Sequence, residues 1–359
     1  MALSNYIEIS RAALRHNAET ILQAVQVPVI GVLKCNGYGV TVTEAAAAWR
    51  AAGVTMFGVS RVEEAVALRN AGFTEDILLL SPVSDKAALH QMIEYRIILT
   101  VGCIGDAQLY SLYSFTEPIQ VHIAVDTGMG RFGIHWKDIA QIKAIYSILG
   151  LQVTGIFSHF AKSYEKHYRF TEKQLKRFLC VTESLQAAGI APGLRHIANS
   201  SAALRFPQTR LDAVRIGSCL VRQPAKATSI CIQPVAVYKA QVTACKFFHP
   251  GDKCGYGLLC KIPRHTKAAI VSLGSMDGFG QMTVPEHLGT HRLILYLLHA
   301  LHKWMHPPYV IYKGKKLRLL GQVGNQHTLF DATGTDIAPG DTVQWSGRLM
   351  LCSSERRFI

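Results

Sequence analysis

"VPVIGVLKCNGYG", residues 27–39, runs as an almost unbroken apolar stretch up to a lysine and then breaks into a turn rich in asparagine and glycine. No polar residue alternates along the run, so both faces of the strand are buried, as in a parallel sheet covered by helices. Seven similar runs follow before residue 220: "TMFGVS" (55–60), "DILLL" (76–80), "RIILTV" (96–101), "IQVHIAVD" (119–126), "VTGIFSHF" (153–160), "LRHIANS" (194–200) and "AVRIGSCL" (213–220). Segments of helical spacing lie between most of them, such as "VEEAVALRNAG" (62–72) and "FTEKQLKRFLCVTESLQAAG" (170–189). Eight alternations of strand and helix argue for a TIM-like (β/α)8 barrel over residues 11–230, in preference to an open doubly wound sheet.

After residue 230 the texture changes. "PVAVYKAQVTAC", "KAAIVSLGS", "KLRLLGQVGN" and "DTVQWSGRLML" read as strands bounded by turn signals, so residues 231–359 form a second, mostly β domain. Within it, "HRLILYLLHALHKWM" (291–305) is amphipathic and helical in spacing, the centre of a helical insertion around residues 280–315. It is too short to span a bilayer, which takes about 20 residues, and reads as a packing helix, within the domain or at an interface.

Composition narrows the function classes. The chain has 359 residues, 49% hydrophobic and 17% charged, which supports a large core. Its nine cysteines are scattered singly, with neither C-x-x-C pairs nor zinc-like spacing, so neither a disulfide framework nor a metal centre is expected. The N-terminus, "MALSNYIEIS", lacks the charged and apolar regions of a signal peptide, and the expected location is cytoplasmic, with no membrane partner. The net charge of +14 is dispersed apart from "YKGKKLR" and "SERRF", and no nucleic-acid module accompanies it. A basic surface that attracts small anions is the reading, not a nucleic-acid partner.

Polar residues fall at the ends of the barrel strands. Lys34 ends the first run, Arg131 follows the fifth, His159 ends the sixth, Asn199 and Ser200 end the seventh, and Arg215, Gly217 and Ser218 belong to the eighth. In a (β/α)8 barrel these ends share one rim, the catalytic face. Ser200 with the backbone of residues 216–218 offers the hydroxyl and N–H groups of a phosphate site after strands seven and eight. A lysine facing a phosphate-bearing ligand from the first strand suggests a Schiff base with pyridoxal 5′-phosphate.

Six motifs in order, "VLKCNGYG", "DTGMGRFGI", "GIFSHFA", "HIANSSAALRFP", "AVRIGS" and "CGYG", resemble those of the alanine racemase family, over nearly the whole chain. The resemblance implies fold-type III pyridoxal-phosphate enzymes: a barrel, then a β domain joined by the N-terminal strand of residues 1–10. It also implies a head-to-tail homodimer with shared active sites. Carried over, it assigns Lys34 to the covalent link with the cofactor and to one of two proton-transfer roles. Tyr256, from the partner subunit, takes the other. Tyr38, Ser200, Gly217 and Ser218 would hold the phosphate, Arg215 would face the pyridine nitrogen, and Arg131 the phenolic oxygen. Asn199 is counted with this cofactor-binding set, and His159 would relay between Tyr256 and Arg215.

The residue types suit racemisation, in which an α-proton leaves one face and returns on the other, so two bases on opposite faces are the simplest design. Three positions depart from the family pattern. "GSMDG" (274–278) places Ser275 where the family usually has a tyrosine, "VGNQH" (323–327) places Asn325 and Gln326 where it usually has Met-Asp, and Ala124 replaces a lysine often carbamylated behind Arg131. The first two enlarge and polarise the substrate pocket, which Arg131 also lines. The expected activity is therefore L/D interconversion of alanine or, given this pocket, of serine or a larger polar or basic amino acid. The alternatives are another pyridoxal-phosphate reaction on amino acids, such as aldol cleavage or decarboxylation, and a non-catalytic cofactor-binding protein.

Overall fold

The computed structural model describes residues 5–114, 117–165, 168–223, 230–281 and 292–359. The chain divides into two compact units, Arg11–Val235 and Met1–Ser10 with Ala236–Ile359. Its first strand is β1 (Asn5–Ile9), followed in the larger unit by β2 (Val29–Val32), β3 (Met56–Val59), β4 (Asp76–Leu79), β5 (Leu99–Val101), β6 (Ile119–Asp126), β7 (Ile134–His135), β8 (Leu151–Phe157), β9 (Leu194–His196) and β10 (Val214–Ile216).

In the larger unit all strand pairs are parallel. They run β10-β2-β3-β4 and β5-β6-β8-β9, and the parallel bridges Leu78 to Ile98 and His196 to Ala213 join the two sets into a ring. The ring has eight strands and is a closed (β/α)8 barrel. Residues of β2, β5 and β10 are buried throughout, Thr100 and Arg215 included. Helices cover the outside. In the helix Arg169–Gln186, Leu175, Phe178, Val181 and Leu185 recur at helical spacing and are buried, with Lys173 and Lys176 exposed. Gly31 lets the indole of Trp49, on the helix Val42–Ala51, lie against β2, since a Cβ there would come within 2.8 Å of it. The two-residue β7, inside "DTGMGRFGI", extends the edge of β6 and is too short to show any periodicity.

The smaller unit continues with β11 (Ala236–Phe248), β12 (Lys253–Cys254), β13 (Cys260–Lys261), β14 (Thr266–Val271), β15 (Tyr309–Tyr312), β16 (Lys315–Leu320), β17 (Thr328–Asp331), β18 (Thr342–Trp345) and β19 (Glu355–Phe358). The path β14-β17-β16-β15-β18-β11 is antiparallel and returns to β14, closing a six-stranded ring. Beyond β11 lie β1, antiparallel to it, and β19, parallel to β1. "NYIEIS" thus pairs with a strand more than 225 residues away.

Within the expected insertion, residues 282–291 lie outside the described residues, and a helix spans Arg292–Met305. It is not packed as the sequence suggested. Ile294, Leu297, Leu298, Leu301 and Met305 are all exposed, between 48% and 62%. No helix among the described residues is long and apolar enough to cross a membrane.

Candidate active site

Lys34 stands where β2 gives way to a left-handed turn. Cys35, Asn36, Gly37 and Tyr38 all have φ between 51° and 64°, and Gly39 has φ 90°. Three of these are not glycine, so the turn is strained and must be held from outside. Glu64 holds it. Its buried carboxylate accepts from the Asn36 N–H (3.1 Å) and also from the N–H groups of Ser60 (2.9 Å) and Arg61 (3.2 Å), at the end of β3. Asn36 Oδ1 in turn accepts from the Val42 N–H at 2.9 Å.

Among the described residues the Lys34 Nζ has no hydrogen-bond partner. Burial lowers its pKa from the usual lysine value, and the charges of Arg131 and Arg215 lower it further. The left-handed turn carries Tyr38 back to the end of β10. A Cβ at Gly217 would lie 2.6 Å from the Tyr38 hydroxyl and 2.7 Å from the Val32 carbonyl, so only glycine fits. Burial raises the Tyr38 pKa, which keeps the phenol protonated, and the Ser218 backbone hydrogen-bonds it. Ser200 Oγ accepts from the Gly217 N–H at 3.3 Å. The structure thus brings Lys34, Tyr38, Ser200, Gly217 and Ser218 together at one rim of the barrel.

Arg215, on β10, is 4% exposed and has no carboxylate partner among the described residues. Its Nη1 donates to His196 Nδ1 (2.7 Å) and the His196 carbonyl (2.9 Å), and its Nη2 to the Ser158 carbonyl (2.5 Å), His159 Nδ1 (3.1 Å) and the Ile197 carbonyl (3.4 Å). Burial, with Arg131 adding to it, brings its pKa down to about 9, so it remains a cation at neutral pH. Its Nε–H finds no acceptor among the described residues.

A guanidinium only donates, so both imidazole Nδ1 atoms must be acceptors. His196 therefore carries its proton on Nε2 and donates it to His122 Nδ1 at 2.9 Å. Burial, then Arg215, pushes His159 and His122 each down to about 3, and His196 well below its usual value. All three are neutral. The His122 ring fills the space beside Gly155, where a Cβ would lie 2.6 Å from it.

Arg131 is exposed on the loop after β6 and lines a cavity of about 620 Å³ with Asp106, Asp126 and Phe132. That loop is built rather than slack. Asp126 Oδ1 accepts from the N–H groups of Gly128, Met129 and Gly130 at 2.8–3.1 Å. Buried Gln174 donates to Thr127 Oγ1 (3.2 Å) and to the His159 carbonyl (3.0 Å), joining the ends of β6 and β8. Asn199 has a structural task, since its Oδ1 caps the helix Ser200–Arg205 through the Ala202 N–H (3.1 Å) and accepts from Ser163 Oγ (2.7 Å). Ala124 is buried on β6.

In the smaller unit, Ser275 Oγ donates to Asn325 Oδ1 at 3.2 Å, and Gly274 allows the contact because a Cβ there would strike the Asn325 carbonyl. Gln326 is exposed beside them, and Tyr256 is 75% exposed on the connection between β12 and β13. Glu64, His122, His196 and Gln174 were not singled out from sequence. Each lies inside a strand or helix pattern that reads as complete without it.

The barrel rim fits pyridoxal 5′-phosphate. It has an unengaged, half-buried lysine with a lowered pKa, a glycine-only approach beside hydroxyl and N–H donors suited to a phosphate, and, among the described residues, an unmatched Nε–H on a buried arginine. A closed parallel barrel with this rim, followed by an antiparallel β unit, defines a cofactor-dependent barrel enzyme. Residues 9–223 match the alanine racemase N-terminal domain and residues 235–352 the alanine racemase C-terminal domain. The chain belongs to the alanine racemase family, whose members are pyridoxal-phosphate-dependent isomerases.

Among similar proteins is the alanine racemase of Desulforamulus reducens, 32% identical over 91% of this chain and 85% of the relative. An amino-acid racemase of Enterococcus faecalis is 30% identical over 80% of this chain but only 41% of the relative's length. The solved alanine racemase of Clostridium difficile 630 superposes with a TM-score of 0.88 at 24% identity, covering all of this chain and 96% of that one, a likeness of fold.

Proposed function

We propose that this chain interconverts the L- and D-forms of an amino acid, with Lys34 and Tyr256 as the two acid/base groups, and that its substrate is serine or a larger polar or basic amino acid. The observation that carries the proposal is Lys34: a half-buried amine with no hydrogen-bond partner among the described residues, whose pKa is lowered by burial and then by two arginines.

When bound, pyridoxal phosphate would engage Lys34 through its aldehyde and draw electrons from the substrate Cα, acidifying the α-proton. Ser200, Gly217, Ser218 and Tyr38 would hold its phosphate, and Arg131 its phenolic oxygen. Arg215 would turn its Nε–H toward the ring nitrogen. Unlike a carboxylate, Arg215 cannot accept a proton, so it would leave that nitrogen unprotonated and moderate the electron draw. That favours prompt return of the proton to Cα over transamination or elimination.

Lys34 would take or give the α-proton on one face. Tyr256, contributed by a second copy of the chain, would serve the other. Neutral His159, with Nδ1 occupied by Arg215, keeps its Nε2–H to steady the Tyr256 oxygen. The substrate reading rests on Ser275 and Asn325, which form a small polar pair where the family usually has a tyrosine and a methionine. A screen of proteinogenic L-amino acids with chiral detection of products tests both parts. D-serine or a larger D-amino acid as the fastest product supports the reading. L-alanine turning over far faster than every larger amino acid would overturn the substrate assignment, and no enantiomer from any substrate would overturn the activity.

A further inference from the structure

The helix Arg292–Met305 carries an apolar face that its own unit leaves uncovered. Ile294 and Leu298, Leu297 and Leu301, and Leu301 and Met305 are each four residues apart, so the five share a single stripe. Their exposures are 56%, 62%, 56%, 48% and 53%. Scattered exposed leucines are ordinary, but a contiguous stripe of five large side chains marks a surface built to be covered. His302 and His306 lie one turn apart, with their rings stacked at 4.5 Å and both residues exposed.

Charge identifies the cover. From residue 287 to residue 330 the sequence contains no aspartate or glutamate, but it contains Arg292, Lys303, Lys313, Lys315, Lys316 and Arg318. The helix sequence therefore has cations and no anion; in the hairpin after it Lys313 pairs with Asp336, while Lys316 and Arg318 are exposed. There Lys316 Nζ sits 4.4 Å from the ring centre of Tyr309, which is 37% exposed. An aromatic ring next to a lysine, directly after an amphipathic helix, suits the headgroup level of a bilayer. A second copy of the helix would bury the same leucines but would bring together two segments whose sequences carry cations and no carboxylate. Anionic headgroups meet both needs.

We propose that the apolar face of the helix Arg292–Met305 seats this chain on the surface of an anionic phospholipid bilayer, with the helix lying in the interface and not crossing it. This departs from the sequence expectation of no membrane partner, which rested on the lack of a spanning segment. It is independent of the racemase reading.

The test is flotation of the full chain with vesicles of phosphatidylcholine alone and of phosphatidylcholine with phosphatidylglycerol. The chain floats with the anionic vesicles and not with the neutral ones. Binding falls steeply as salt is raised toward 1 M, where the Debye length is about 3 Å. The double variant L297E/L301E loses at least about tenfold in vesicle affinity, because it places two carboxylates in the buried stripe. Both positions are solvent-exposed, so the variant keeps the wild-type circular dichroism and thermal midpoint. The more conservative L297S/L301S loses part of the binding. Failure of the wild type to float with anionic vesicles overturns the proposal. So does unchanged binding by L297E/L301E, or a change of oligomeric state in that variant without any vesicle binding, which would make the face a contact between copies.

Discussion

Replacing Arg215 with lysine keeps the charge and removes the geometry, and the structure allows the cost to be worked out. The guanidinium satisfies five acceptors: two imidazole Nδ1 atoms and the carbonyls of His196, Ser158 and Ile197. The His196 carbonyl also accepts from the Ser158 N–H, so four acceptors depend on Arg215 alone; an ammonium has three donors on one nitrogen and leaves at least one of them unsatisfied. That costs about 1–3 kcal/mol, so the R215K variant should be less stable than wild type by at least about that much. Urea unfolding of the cofactor-free chain, followed through a barrel signal, measures this directly. The variant should also release His196 from a single tautomer, visible as exchange between two nitrogen environments in the NMR spectrum of its ring. Stability within about 0.5 kcal/mol of wild type, with the tautomer still fixed, would refute the claim that Arg215 organises the histidines.

Two further perturbations follow from the same rim. His122 and His159 are held neutral with pKa values of about 3, far below the unfolded value of about 6.5, so the unfolded chain binds more protons between those values, and His196 is shifted in the same direction. Their contribution to stability is complete above about pH 6.5 and is lost as pH falls. Unfolding free energy should drop by at least about 2 kcal/mol between pH 6 and pH 5, roughly 1 kcal/mol for each of His122 and His159, and a flat profile over that interval would contradict the assignment. Gly217→Ala drives a methyl group against the Tyr38 hydroxyl and the Val32 carbonyl, overpacking that costs about 1–3 kcal/mol. It should weaken cofactor binding by about tenfold or more in a fluorescence titration, and unchanged affinity would show that the rim can relax around it.

The barrel was legible because its strands are buried on both faces, so runs such as "VPVIGVLK" stand out against helical spacing without any knowledge of partners. The rim residues were legible because polarity at the end of an apolar strand is conspicuous. What holds those residues was not. His122 lies inside "IQVHIAVD", where the run reads as a strand regardless of the imidazole, and its partner His196 is 74 residues away. Gln174 sits within a helix whose polar positions are expected to face solvent, yet it is fully buried and ties two strand ends together. The turn after Lys34 was visible from Asn36, Gly37 and Gly39, but not its hand, because Cys35 and Tyr38 have no intrinsic preference for positive φ. The helix at residues 292–305 misled in the opposite direction. An amphipathic period predicts that an apolar face will be covered, but it does not identify the cover, and the chain's own smaller unit leaves it open.

The central claim is that two residues, Lys34 and Tyr256, move the α-proton on opposite faces of one substrate. Solvent-deuterium incorporation at Cα by the holoenzyme, followed by proton NMR from each enantiomer separately in wild type and Y256F, tests it most directly. The wild type should exchange the α-proton of both enantiomers. Y256F should still exchange one enantiomer, lose exchange with the other, and racemise at least about 100-fold more slowly. Full racemisation by Y256F, with both enantiomers exchanging at the wild-type rate, would contradict the account.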